Sequence, residues 1–252
     1  MTLHLIPVDL GPGVRAVFTG RSIDHDPEDD ASSIGAPGNL SHRRPHRPAA
    51  LAAGRAVAAA AIGIDDADVV RMRQVHGRGV AIVAADTPRG AEVGPADAAV
   101  TTESGRGLAV MVADCVPVLL AGRDAVAVAH AGRAGVVAGV VDATVAAVRD
   151  RDTGTVRAAI GPAIRGCCYE VEEELRAEVA VAHPAAFATT TWGTPSLDLP
   201  AAVRATLTDQ GIEVADVGVC THCDSRWFSH RRDAEAAGRQ AGMVVRREGG
   251  GG

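Results

Sequence analysis

The sequence predicts a mixed α/β (α+β) domain in which β-sheets are covered by outer helices. Three observations carry this. The middle of the chain is dense in short apolar runs, at residues 98–101, 108–112, 116–121 and 125–129. Continuous runs of this length are expected of strands covered on both faces. The last of them passes through His130-Ala-Gly132-Arg-Ala-Gly135 directly into an Ala/Val-rich helical stretch. Two further Ala-rich stretches, 48–62 and 199–209, place a proline in their first turn, where its missing N–H costs a helix nothing.

In chain order, residues 3–8 and 14–19 form a hairpin around Gly11-Pro12-Gly13. Residues 22–47, rich in Asp, Pro, Ser and His and without periodicity, form a long polar loop. A helix follows over 48–62. Strands are expected at 68–75 and 80–84, with a turn-rich connection at 87–96, and then the four central strands. Residues 136–149 form a helix, 155–160 a strand, 171–182 and 199–209 helices, and 213–219 a strand. A short helix at 234–240 and a strand at 243–246 close the fold, and 248–252 form a flexible glycine tail. Neither a repeat nor a convincing linker divides the chain, so residues 1–247 read as one domain.

The 252 residues are 47% hydrophobic, enough for a substantial core. Every basic residue is arginine and the net charge is −6. The acidic balance argues against a nucleic-acid partner, which needs a basic face. Arg43, Arg44 and Arg47 read as a solvated loop. No apolar run reaches the roughly 18 residues of a membrane span. No basic segment leads into an apolar one at the N-terminus, so a cytoplasmic address is expected, with the five cysteines reduced.

The chemistry concentrates in R-Q-V-H-G at 73–77, A-D-C-V-P at 113–117 and H-A-G-R-A-G at 130–135. Each follows a strand, which puts His76, Cys115 and His130 at strand ends. Singly, each has a plain reading: a strand-end histidine bonded to backbone, or a small buried thiol. Together, two imidazoles and a thiolate make a three-ligand zinc set with a fourth position left for a reactant. The glycine turn after His130 opens a helix and carries Arg133, an arrangement that accepts anions. Cys220-Thr-His-Cys223 has C-x-x-C spacing and Cys167-Cys168 is a vicinal pair. Adjacent cysteines rarely chelate well and there is no second C-x-x-C, so these read as packing or site lining rather than as a zinc or redox centre. Tyr169, Trp227 and Phe228, beside them, read as a pocket wall or as core.

These strings, with A-I-G-P-A-I-R-G-C-C-Y-E-V at 159–171, C-T-H-C-D-S-R-W-F-S-H-R-R-D at 220–233 and G-R-Q-A-G at 238–242, resemble the YfiH or laccase-domain family. Its members also go by multicopper polyphenol oxidase, purine nucleoside phosphorylase and peptidoglycan editing factor PgeF. The resemblance implies a YfiH-like fold of the cysteine-hydrolase type. It implies zinc held by His76, Cys115 and His130, which would also be the catalytic centre. Copper fits less well, because several coppers need more histidines than this set offers. The resemblance further implies phosphorolysis of adenosine, inosine, guanosine or methylthioadenosine, adenosine deamination, or both. The partners are then a purine nucleoside and phosphate, on a monomer or homodimer. Substrate contacts are expected at Arg21, Asn39, Gln74, Asp114 and Arg133, with Asp114 shuttling a proton and Arg133 near phosphate. A cysteine hydrolase acting on a peptidoglycan precursor, with Cys115 as nucleophile and His130 as base, and a non-catalytic nucleotide-binding protein are the rival readings. The chain departs from the family pattern at Arg133-Ala134, where the family has Trp-Arg, and at His230, where it has Tyr.

Overall fold

The computed structural model describes residues 1–24 and 38–247. Its strands are β1 (Leu3–Val8), β2 (Val14–Ser22), β3 (Val69–Met72), β4 (Val80–Val83), β5 (Glu92–Val93), β6 (Ala98–Thr101), β7 (Gly107–Val112), β8 (Val116–Ala121), β9 (Val126–Ala131), β10 (Arg157–Ile160), β11 (Phe187–Thr189), β12 (Pro195–Leu197), β13 (Glu213–Asp216) and β14 (Gln240–Arg246). The helices are α1 (Pro48–Ala61), α2 (Arg133–Ala138), α3 (Val140–Arg149), α4 (Glu173–Ala182), α5 (Leu199–Asp209) and α6 (His230–Asp233). One six-stranded sheet has the order β1-β2-β14-β7-β3-β5. The other runs β13-β10-β8-β9-β6-β4, and β11 and β12 pair as a small hairpin. Both large sheets mix parallel and antiparallel pairs.

Side-chain alternation stacks these elements into four layers. On β9, Val126 and Val128 enter an apolar core with Phe18, Leu108, Val110 and Val244 of the first sheet. Ala127, Ala129 and Ala131 enter a different core with Val140, Val145 and Val148 of α3 and Val203 of α5. A period of two thus sends one face of each strand to the opposite sheet and the other to the helices. The outer face of the first sheet packs Val17, Val69 and Met243 against Ala58, Ala59 and Ile62 at the end of α1. Small alanines on the helix-facing side of β9 let α3 approach closely. Bulkier residues such as Phe18 and Trp227 fill the space between the sheets and are fully buried, each burial stabilising by about 1.5–3 kcal/mol.

The fold class is the one expected. Several local expectations need correction. The helix expected over 136–149 starts at Arg133 and breaks at Gly139, whose φ of 85° is left-handed and ends α2 before α3 begins. Residues 234–240 are not a helix. The helical turn is α6, capped by Ser229 accepting from the Arg232 N–H, then a 3-10 turn at Ala234–Ala236, and Gln240 already belongs to β14. Strands β3 and β13 are shorter than expected, while β5, β11 and β12 were not expected. Residues 25–37 of the 22–47 loop and the glycine tail lie outside the described residues. Among the described residues no helix is long and apolar enough to cross a membrane.

Candidate metal centre

Strand register and alternation bring the expected ligands together. Antiparallel pairing of β8 with β9 sets Pro117 opposite His130 and Val116 opposite Ala131. Continuing that ladder by one residue places Cys115 across from Gly132. Cys115 shares the parity of Leu119 and Ala121, and His130 that of Val126 and Val128, so both face the gap between the sheets. His76 comes from the other sheet, on the loop after β3. The Cys115 Sγ lies 4.0 Å from His76 Nε2. The rings of His76 and His130 meet edge to face with centroids 4.7 Å apart. Ligand atoms of all three residues lie within 4.8 Å of one another. Gly132 makes this possible: a Cβ there would stand 3.0 Å from His76 Cδ2 and 3.1 Å from Cys115 Sγ. Two non-glycine residues with left-handed backbone flank the centre, His76 at φ 60° and Asp114 at φ 80°, the kind of strain that the surrounding structure must impose.

Asp97, one residue before β6, organises the centre from behind. It is fully buried. One oxygen accepts from His130 Nδ1 at 2.8 Å and from the His76 N–H at 2.9 Å, and the other accepts from the Gly77 N–H at 2.7 Å. The His130 proton is thereby placed on Nδ1, leaving Nε2 for a ligand role. Burial pushes the Asp97 carboxyl up, but His130 and the N–H groups of Gly77 and Val75 outweigh it and hold it below the usual range. Burial also pushes the Cys115 thiol up. The His130 and His76 imidazoles overcome that and bring it down to about 6. His130, pushed down by burial, is carried up to about 9 by the Cys115 sulfur and Asp97. The donor set fits zinc: one thiolate, one imidazole whose tautomer is fixed, and a second imidazole on a strained loop.

Two hollows meet at Cys115. The larger, about 370 Å³, is lined by Gln74, His76 and His130, by the arginines Arg43, Arg44, Arg55, Arg71 and Arg239, and by Glu92. The smaller, about 180 Å³, is lined by Ile164, Tyr169, Leu199, Asp114, Arg133 and Arg231. Ala113, Cys115 and His230 line both. Arg43 and Arg47 are exposed, as expected of a solvated loop, whereas Arg44 is partly buried; Arg43 and Arg44 also line the larger cleft. Arg43 pairs with Glu92, and Arg44 bonds the carbonyl oxygens of Glu235 and Ala237.

The expected substrate residues divide. Arg133 lies in the smaller hollow, beside Tyr169. Asp114 is there too, but its carboxylate is engaged, accepting from the Thr221 hydroxyl and the Arg231 N–H, each at 2.6 Å. Gln74 reaches the larger cleft while its amide completes the ladder to β7, donating to Met111 O at 2.8 Å and accepting from Met111 N–H at 2.9 Å. Asn39 is buried and shapes the 38–45 turn, accepting from the Ser41 and Arg239 N–H groups. Arg21 is bonded to Asp233 and the Trp227 carbonyl and stacks on Phe228. Sequence reasoning missed Asp97; its signal is a lone acid abutting the apolar run of β6. It also missed the cleft arginines, which are brought together from segments as far apart as Arg43 and Arg239. Of the three aromatics, Tyr169 is a pocket wall, whereas Trp227 and Phe228 are core.

Residues 20–247 match the family model described as multi-copper polyphenol oxidoreductase laccase. The chain belongs to this family. A relative from Streptomyces coelicolor named purine nucleoside phosphorylase SCO2081 is 51% identical over 203 residues, covering 78% of this chain and 83% of the relative. One from Mycobacterium tuberculosis, named purine nucleoside phosphorylase Rv2149c, is 44% identical, covering 82% and 83%. The crystal structure of YlmD from Geobacillus stearothermophilus superposes with a TM-score of 0.80 at 27% identity, over 94% of this chain and 93% of that one. The Bacillus licheniformis protein YfiH gives 0.78 at 27%, over 92% of each. Like these laccase-family neighbours, the chain is a mixed α/β protein, and the fold and the resemblance read from its motifs agree.

Proposed function

We propose that this protein is a zinc-dependent purine nucleoside phosphorylase, with zinc held by His76, Cys115 and His130. The observation that carries the reading is the position of this ligand set, where an arginine-rich cleft meets a smaller, largely carbon-lined hollow. The names of the relatives point the same way. Bound zinc supplies positive charge and Lewis acidity at the reacting centre. The guanidinium groups of the larger cleft, Arg239 foremost, hold the phosphate. Ile164, Leu199 and Tyr169 take the flat purine face. A phosphate oxygen attacks the ribose C1′ and the bond from C1′ to the purine nitrogen breaks, giving ribose 1-phosphate and the free base. His230, which lines both hollows and whose Nδ1 is bonded to the Ala234 carbonyl, is placed to protonate the departing base through Nε2.

The test is product analysis with zinc-loaded protein and adenosine or inosine, with and without phosphate. The expected result is free base formed only when phosphate is present. Release of no base sinks the reading, and conversion of adenosine to inosine without phosphate replaces it with deamination. One observation favours a second reading: Asp97, His130 and Cys115 stand in the order of a cysteine hydrolase triad. Turnover of an amide by metal-free protein, abolished by Cys115→Ala and by His130→Ala but retained in His76→Ala, distinguishes it.

A further inference from the structure

A second cluster of metal-binding side chains lies beyond the ends of β10 and β13. These parallel strands run side by side, Arg157 opposite Glu213 through Ile160 opposite Asp216, and a bridge between Ala163 and Cys220 continues the pairing. Each chain then turns. The Cys168 N–H donates to the Arg165 carbonyl in one turn, and the Asp224 N–H to the Cys220 carbonyl in the other. The two turns bring Cys167, Cys168, Cys220 and Cys223 together with all four sulfurs within 4.8 Å of one another. Cys223 Sγ is 3.2 Å from Cys168 Sγ and 3.9 Å from Cys167 Sγ. The backbone N–H groups of Arg165 and Cys223 are directed at Cys220 Sγ.

We propose that these four cysteines form a closed tetrathiolate site for one zinc ion, separate from the His76, Cys115 and His130 centre. Tetrahedral zinc with bonds of about 2.3 Å sets its sulfurs about 3.8 Å apart, close to what the turns present. A polynuclear iron–sulfur cluster, whose thiolates reach different irons, needs a wider cage. Core filling does not explain the cluster: Cys223 is exposed, and Cys167 and Cys220 are half-buried. The vicinal pair, a poor chelator in extended backbone, is folded by its turn so that both sulfurs face Cys223. Four protein ligands leave no open position, so the ion is structural. It clasps two turns that shape the smaller hollow. Cys168 precedes Tyr169, and Cys220 precedes Thr221, whose hydroxyl donates to Asp114 beside Cys115.

The test is zinc content by elemental analysis of protein purified under reducing conditions, with Co²⁺ as a spectroscopic substitute. The wild type should hold about two zinc ions per chain, and His76→Ala about one. Co²⁺ added to chelated His76→Ala protein should show intense sulfur-to-cobalt charge transfer, lost in His76→Ala/Cys223→Ser. Because a cysteine variant can fail to fold, the native protein supplies an independent readout. Cys167, Cys168, Cys220 and Cys223 should resist alkylation until a chelator is added, as read by peptide mass. Free alkylation of all four in the zinc-loaded native protein, a disulfide among them, or a His76→Ala protein without bound metal overturns the proposal.

Discussion

Asp97 accepts a 2.8 Å hydrogen bond from His130 Nδ1, and the same carboxylate holds the backbone N–H groups of Val75, His76 and Gly77. One buried acid thus sets both the tautomer of one expected ligand and the loop that delivers another. Asp97→Asn keeps the size but removes one acceptor and the charge. Loss of such an outer partner typically weakens metal binding by about 10- to 100-fold. Chelator competition against wild type should show a loss in this range. An unchanged affinity would mean that the loop holds its shape without the carboxylate.

Gly132→Ala tests the close approach of the three ligands. The added methyl would lie against His76 and Cys115, so one of them must move. Zinc affinity should fall by more than tenfold while the far-UV circular dichroism stays that of wild type. Normal zinc content at limiting metal would show that the centre is looser than its geometry states.

What the sequence revealed follows from which interactions are local. His76, Cys115 and His130 were legible because each ends a recognisable strand, and strand ends converge. The four-layer arrangement was half legible: β8 and β9 announce strands, but only alternation across both sheets shows that they face helices on one side and strands on the other. The hairpin of β11 and β12 escaped notice because three-residue strands such as Phe-Ala-Thr carry too little alternation to register. The cleft arginines escaped for a different reason. Their convergence depends on tertiary contacts such as the Arg239 N–H to Asn39, separated by 200 residues.

Arg239 carries the phosphate prediction. Its Nη1 donates to the carbonyls of Ala237 and Gly238, and among the described residues no carboxylate pairs with it. Arg239→Ala should raise the KM for phosphate at least tenfold and leave that for nucleoside within about twofold, since a charge-assisted bond contributes roughly 1.5–3 kcal/mol. His230→Phe should instead lower kcat. His230→Tyr, which restores the residue usual in the resembling family, should recover part of it. A reversal of these KM and kcat effects would exchange the two roles.

Asp152 links the fold to pH. It is buried, and its carboxylate accepts the N–H groups of Asp124, Ala125 and Gly154. Burial pushes its carboxyl up, but those three N–H groups outweigh the burial and hold it below the usual value. A carboxyl lowered in the folded state stabilises the fold above its unfolded pKa of about 3.9, and the stabilisation is lost as pH falls through the folded value. Asp152→Asn should therefore cost about 1–3 kcal/mol near neutrality. In urea melts the gap to wild type should narrow below about pH 4. A gap constant down to pH 2 would show that packing, not charge, makes the difference.

Cys115 gives the sharpest pH signature, provided the metal is removed first. A free thiol ionises near 8.5, so its alkylation rate climbs through pH 8 to 9. In the metal-free protein Cys115 is brought down to about 6 and His130 is carried up to about 9. Both shifts favour the same pair, a thiolate beside an imidazolium, and the window between the two values is where that pair persists. Iodoacetamide labelling of Cys115 should therefore rise between pH 5 and 7, plateau, and change again only as His130 loses its proton near pH 9. Added zinc should suppress labelling throughout, because the same electron pair then binds the ion. His130→Ala should move the rise back toward that of an ordinary thiol, whereas a substitution at Tyr169, outside the ligand set, should leave it in place. A single rise near pH 8.5 in the chelated wild type would mean that the thiolate and imidazolium do not pair, and the electrostatic account of the centre would fail with it.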